Sequence, residues 1–340
     1  MDLAAIARSR LTHDMNFLLH WLGRGIIAFV QLFPLTGVAR FGRRVGRLGW
    51  HLDARHRRVA LSNLTAVFGT EKSPEEIRAL ARENYLRLAE NYFCLLKVGG
   101  MSDAEIAPHM EWHGMEKLRR SDGRAGVLVI GHFGNFELFT RLPANLPPGM
   151  PPQKFATTYR ALRQPALSGL MQSLRHREGV LFFERRTGAD ALKQALSDGT
   201  TWLALLVDQH AGDRGLWLPF LGRPCSCSAS PAVLALRARH PLITAICYRT
   251  GLARWRWEFG EWISDTENGR RRTVESITRE INSLFETAIR RDPANWFWVH
   301  RRWKPPSPHQ RPETVRSRSR ESPQEKDDQD SHTGSQWLTS

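Results

Sequence analysis

Residues 125–138 read AGVLVIGHFGNFEL, passing from an unbroken apolar run to a glycine-flanked histidine and then to an acid. An apolar run without polar alternation fits a strand covered on both faces, as in a parallel sheet. Such sheets deliver functional residues at the carboxyl ends of their strands, and His132 stands at that point. Gly131 and Gly134 permit tight turns and close approach of a ligand. Asn135 is placed to cap a following helix, whose first amides favour negative charge nearby. His132 and Glu137 would lie about 140° apart on an ideal helix, so they share no helix face. They meet only if His132 is in the loop and folds back over a first turn that carries Glu137. That contact would fix one imidazole nitrogen and free the other to take a proton from a hydroxyl. The competing reading is a structural histidine beside a helix that opens with an acid.

The same grammar repeats downstream. QKFATTYR (153–160), GVLFFE (179–184), TTWLALLVDQ (200–209) and LITAICYR (242–249) are short apolar runs. Helical patterns at 135–142, 163–177, 188–197 and 230–239 separate them. This alternation predicts an α/β fold with a mostly parallel central sheet flanked by helices. RWRWEFGEWI (254–263) alternates and adds an outer strand, and 272–291 reads as a last amphipathic helix. Asp208 closes its run at a carboxyl end. No second acid supports a metal there, so Asp208 reads as positioning a basic residue. Upstream, 55–98 is helical, and Ser73, Pro74 and Glu76 spell an N-cap, a first-position proline and a capping box.

The chain has 340 residues, enough for a sizeable core, and carries a formal charge of +15. Such a field selects anionic partners: nucleic acid, an anionic bilayer, phosphorylated substrates or an acidic carrier protein. Twelve tryptophans add weight to a bilayer interface. Cys94, Cys225, Cys227 and Cys247 lack zinc or redox spacing and read as free thiols without a disulfide framework. The apolar stretch 15–39 is broken by His20, Arg24 and Pro34. Its uncharged part, 25–39, is shorter than the ~20 residues that cross a bilayer cleanly. No small-residue cleavage site marks a secretory signal. Arg40, Arg43, Arg44 and Arg47 follow, as suits a membrane anchor with the rest of the chain on the cytoplasmic side. Spanning the bilayer, lying in its interface, and forming a buried first helix all stay open. The expected division is an anchor region at 1–48, a catalytic domain at 49–304 and a disordered tail at 305–340, where apolar residues are scarce.

GHFGNFEL resembles the His-x4-Asp/Glu motif of the glycerolipid and lysophospholipid acyltransferase superfamily, and more closely the box of the bacterial lipid A biosynthesis (lauroyl/myristoyl) acyltransferases. Further segments are similar to that family in the same order: RRVALSNLTAVFG with Arg58 and Asn63, TTYRALRQPALSGLMQSLRHREG with Tyr159, Arg160 and Gly179, LLVDQHAGDRGLWLPFLGRP with Asp208, Gln209, Pro219, Phe220 and Gly222, and NWFWVHRRWK near the end. The resemblance implies a glycerolipid acyltransferase-like fold. It also implies acyl transfer from an acyl carrier protein thioester to a hydroxyl of a lipid A precursor, at the cytoplasmic face of the inner membrane. It makes His132 the base and Glu137 its partner, with Gly134, Asn135, Arg160, Asp208 and Gln209 binding substrate. Neither a cofactor nor a metal is implied. Arg160 would meet a substrate phosphate or the thioester oxyanion. Basic residues would steer the acidic carrier and the phosphorylated lipid. Trp296, Trp298 and Trp303, interleaved with Arg301, Arg302 and Lys304, suit a membrane-facing edge, with a core position as the other reading. PFLG (219–222) shapes a substrate loop or is a turn. An acyl-CoA-dependent transferase of another glycolipid, such as phosphatidylinositol mannoside, shares the histidine box. A nucleic-acid-binding reading rests on charge and RSRSR alone, with no RNA-reading motif. A serine hydrolase lacks its Gly-x-Ser-x-Gly elbow.

Overall fold

The computed structural model describes residues 3–305, apart from Ser121, Pro151, Pro152, Arg163, Arg186 and Asp198. Nearly all of the tail that was read as disordered lies outside the described residues. The chain opens with four helices: α1 (Leu3–Gln31), α2 (Leu35–Leu52), α3 (Ala54–Phe68) and α4 (Pro74–Val98). The capping box at α4 is formed: Ser73 N donates to Glu76 at 2.7 Å, and Glu76 N donates to the Ser73 hydroxyl at 3.2 Å. The other end of α4 is met by cations. Arg141 and Arg177 donate to the Val98 carbonyl at 2.7 and 2.8 Å, satisfying an orphan acceptor of the last turn.

After a one-turn α5 (Asp103–Ile106) the order is β1 (Met110–His113), β2 (Val127–Ile130), β3 (Lys154–Tyr159), α6 (Pro165–Arg175), β4 (Val180–Glu184), α7 (Ala189–Leu196), β5 (Thr201–Leu206), β6 (Leu216–Phe220), β7 (Arg223–Cys227), α8 (Ser230–Ala238), β8 (Leu242–Gly251), β9 (Arg254–Ile263) and α9 (Val274–Arg291). Seven strands form one sheet in the order β1-β9-β8-β2-β5-β3-β4. β8, β2, β5, β3 and β4 run parallel, while β9 is antiparallel to β8 and carries β1 alongside it. The mostly parallel α/β architecture expected from the alternating pattern is therefore present. All four residues of β2 are buried because both faces are covered. Val127 and Val129 face one core with α3, α9 and the β6–β7 hairpin, and Leu128 and Ile130 face another with Trp202, Trp255 and Trp257.

Three local details depart from the sequence reading. The helix expected at 135–142 is a 3₁₀ turn, Phe136–Arg141, and Asn135 precedes it without capping it through its side chain. PFLG is the turn that one of its two readings gave, but it joins a β6–β7 hairpin that the pattern of runs does not include: Leu221 and Gly222 both have positive φ (50° and 73°), the geometry of a two-residue primed turn. Trp296 and Trp298 are core residues at 2% and 0% exposure, not a membrane-facing edge. Trp298 packs against Phe68 and Trp296 against Phe220, and both indoles meet Trp303 and each other.

α2 crosses α4 closely because Gly42 and Gly46 face its backbone. A Cβ at Gly46 would stand 2.9 Å from Tyr85 O and Leu86 Cα, whereas one at Gly49 would meet nothing within 4 Å. Gly46→Ala is therefore expected to lose about 1–3 kcal/mol by overpacking, and Gly49→Ala to gain up to about 1 kcal/mol from helix propensity. Denaturant unfolding of the two variants reads this opposition of sign.

Candidate functional site

β2 and β5 are parallel neighbours with Ile130 opposite Leu206. Two residues beyond that pair, each chain leaves the sheet, which sets His132 beside Asp208. The Asp208 carboxylate accepts from His132 N at 2.8 Å, lies 2.7 Å from His132 Nδ1 and accepts from Trp296 Nε1 at 2.8 Å. Its side chain is 1% exposed and that of His132 17%. Burial alone would raise the Asp208 pKa, but the His132 ring, the two His132 hydrogen bonds and the Trp296 indole outweigh it and hold it below the ordinary value. An ionised carboxylate at Nδ1 requires the proton there, so the lone pair is on Nε2. The side-chain amide nitrogen of Gln209 is 3.2 Å from that Nε2, as a donor would be. Phe136 and Phe297 wall the imidazole, with ring centroids at 4.7 and 5.6 Å.

His132 is in the loop and Glu137 in the first 3₁₀ turn, as the sequence requires. The expected contact between them is not made. Glu137 is buried and turned to Arg175 at the end of α6: Nε donates to one carboxylate oxygen at 2.9 Å and a terminal nitrogen to the other. The reason is geometric. Gly134 at φ 50° turns the chain toward Asn295, whose carbonyl accepts from Gly134 N at 2.9 Å, and the following turn carries Glu137 away from the imidazole. Asp208 takes the place at Nδ1 that the sequence reading gave to Glu137.

The remaining candidates separate. Asn135 is 2% exposed, and its side-chain nitrogen has no acceptor among the described residues. Arg160 is exposed just past β3, level with Gly131 and Val207 in the sheet register. With β5 between β3 and β2, its backbone is about 10 Å across the sheet edge from that of Gly131. It forms no ion pair among the described residues. His132, Asp208 and Gln209 are brought together; Arg160 and Glu137 flank them. No group of three or more possible metal ligands occurs among the described residues.

The sequence reading missed the frame around this pair. Asn63 of α3 donates to the carbonyls of Trp298 and His300, both at 2.8 Å. Asn84 of α4 donates to those of Ala294 and Trp296. Asn295 joins the same segment to β8 by donating to Cys247 O at 2.8 Å and accepting from Arg249 N at 3.2 Å. His300 Nε2 accepts from His210 N at 3.1 Å, tying the segment to the loop that carries Asp208. The only sequence signal for these was the occurrence of Asn63 and the Trp-rich segment among the quoted boxes. Arg175 had none.

The family model for bacterial lipid A biosynthesis acyltransferases matches residues 7–305 of the chain. The chain is 25% identical over 324 residues to the lipid A biosynthesis lauroyltransferase of Escherichia coli K12, covering 89% of this chain and 95% of that protein. It is 24% identical over 301 residues to the palmitoleoyltransferase of the same organism, covering 85% and 92%. Among solved structures, the 1-acyl-sn-glycerophosphate acyltransferase of Thermotoga maritima aligns with a TM-score of 0.36 at 10% identity, over 76% of this chain and 99% of that one.

Burial pushes the His300 pKa down to about 4; Arg302, His132 and His210 push the same way, against Asp208. A folded pKa below the unfolded value near 6.5 means that His300 contributes stability above pH 6.5 that is lost as pH falls through 4. His300→Gln keeps an acceptor for His210 N and removes the titrating ring. The pH dependence of its denaturation midpoint should show one proton fewer taken up on unfolding between pH 6.5 and 4. An unchanged slope would place the neutral, buried histidine elsewhere.

Proposed function

The chain belongs to the bacterial lipid A biosynthesis acyltransferase family and is an acyltransferase; from that premise we propose that it moves a fatty acyl chain from an acyl carrier protein thioester to a hydroxyl of a lipid A precursor. The observation that carries the mechanism is the His132–Asp208 pair. His132 Nε2, its lone pair set by Asp208 at Nδ1, takes the proton of the acceptor hydroxyl as the oxygen attacks the thioester carbon. The C–O bond forms, the C–S bond breaks, and the imidazolium returns its proton to the departing thiolate of the carrier. Asp208 stabilises the imidazolium between those steps. Arg160, which has no ion pair among the described residues and stands at the same sheet edge, takes an anionic group of donor or acceptor. Glu137 orients Arg175 and the turn behind His132 and has no direct part in proton transfer.

We place this reaction on the cytoplasmic face of the inner membrane. No described helix is long and apolar enough to cross a membrane. α1 exposes Met15, Leu18, Leu22, Ile26 and Phe29 in steps of three and four, the spacing of one helix face. α2 adds exposed Phe41, Leu48 and Leu52 beside exposed Arg40, Arg44 and Arg47. Apolar and basic groups together suit a helix lying in an anionic interface. α1 packs on α6, with Gly23 against Leu170, so this surface adjoins the helix that ends in Arg175.

The reading is tested with labelled acyl carrier protein donor, a tetraacylated Kdo-lipid A acceptor and anionic vesicles, with acyl-CoA as the competing donor. Acylated product is expected from the carrier thioester, and His132→Ala should abolish it. Asp208→Asn should lower kcat by about 10²–10⁴. Glu137→Gln, which keeps the size of the side chain and breaks only the Arg175 ion pair, should lower it much less. Loss of vesicle binding in the Leu22→Glu, Phe29→Glu double variant tests the surface. Transfer from acyl-CoA alone refutes the donor, and a Glu137→Gln effect as large as that of His132→Ala refutes the division of roles.

A further inference from the structure

Behind the site, the segment following Trp296 meets the β6–β7 hairpin through an unusual charge arrangement. Arg302 is 0% exposed and brings a guanidinium cation into the interior. Among the described residues it has no carboxylate within ion-pair distance. Its partners are the Ser226 carbonyl, the Phe220 ring at 5.1 Å and Cys227 Sγ at 3.2 Å. A buried cation without a counter-charge is strongly unfavourable. Cys227 Sγ in turn receives Asn282 Nδ2 at 3.3 Å from α9, and Cys225 Sγ lies 3.7 Å away on the same face of β7. Two N–H donors, one of them a guanidinium, thus converge on one sulfur, with a second sulfur in contact. As a thiol donor it would have two weak acceptors, the Cys225 carbonyl at 3.6 Å and Cys225 Sγ at 3.7 Å.

We propose that Cys227 is a thiolate in the folded protein and forms with Arg302 a buried ion pair that pins residues 296–304 to the β6–β7 hairpin. Cys225 keeps its proton and donates to the thiolate. The Cys225 S–H is the largest influence drawing Cys227 down, to about 6; burial opposes it, and Arg302 and Asn282 reinforce it. Cys225 is correspondingly pushed up. Among the described residues, Glu286 of α9 also faces the pair, its carboxylate occupied by Leu221 N at 2.8 Å. The pinned segment carries Trp296, which donates to Asp208, and His300, which accepts from His210 N. Cys227 and Arg302 are therefore positioning residues, and the inference stands whether or not the acyl donor and acceptor are as proposed.

The experiment is a pH titration of the thiolate ultraviolet band in the native full chain. Burial holds the Cys94 and Cys247 thiols protonated well into the alkaline range, and Cys225 is raised, so a thiolate near neutrality reports Cys227. One thiolate is expected, lost as acid is added with a midpoint near pH 6, retained in Cys225→Ser and absent from Cys227→Ser. In unfolding by denaturant, Cys227→Ala and Arg302→Met should each destabilise. The double variant should recover roughly tenfold or more in the unfolding equilibrium relative to additivity, because both charges leave together. No thiolate in the native wild type between pH 6 and 8, or additive single effects, overturns the proposal. The wild-type titration decides even if a variant fails to fold.

Discussion

One buried carboxylate organises this molecule. Asp208 gathers three N–H groups: the backbone and ring of His132 and the indole of Trp296. A carboxylate so deeply buried is tolerable only when its lone pairs are filled by donors in good geometry. That requirement reaches outward. β2 and β5 must be adjacent and in register, Gly131 must admit the carboxylate 3.1 Å from where a Cβ would stand, and Trp296 must be held in the core. The asparagines at 63, 84 and 295 meet the last demand by occupying backbone carbonyls of the terminal segment or bonding it to β8. Three side-chain amides from three elements thus set one indole, and the indole helps to set one acid.

Much of the fold was legible because its signals are local. Ser73, Pro74 and Glu76 specify a helix start through groups only a few positions apart, and the structure forms that capping box. The apolar runs at 127–130 and 201–206 declare strands covered on both faces. The histidine's partner was not legible as a pair, since it depends on a strand register 76 positions apart in sequence. Sequence proximity favoured Glu137, and spatial proximity belongs to Asp208. The turn after Gly134 is 3₁₀ and not α-helical, which no propensity of Phe136 or Glu137 announces. The tryptophans near the end misled for a related reason: composition places indoles at interfaces, whereas Asn63 and Asn84 hold their backbone inside.

The site and the outer surface are connected through α6. Its last residue, Arg175, grips Glu137 behind the histidine, and its earlier turns lie under α1 with its exposed apolar face. A lipid acceptor lying in an interface along α1 would therefore be close to the carboxyl edge of the sheet. On the proposed reading, the basic residues on α2 and the exposed Arg160 would give that approach its sign. Charge is spread over the outside, while the buried groups Asp208 and Arg302 each have close partners, His132 and Cys227.

The proposed chemistry depends on Asp208 fixing the His132 ring with its proton on Nδ1 and its lone pair on Nε2. Nitrogen NMR of the histidine rings in the native chain, assigned by comparison with His132→Ala, reads that tautomer directly. For the neutral ring, the Nδ1–H tautomer is expected, with the preference lost in Asp208→Asn. A wild-type His132 carrying its proton on Nε2, or a tautomer indifferent to Asp208→Asn and sensitive to Glu137→Gln, would contradict it.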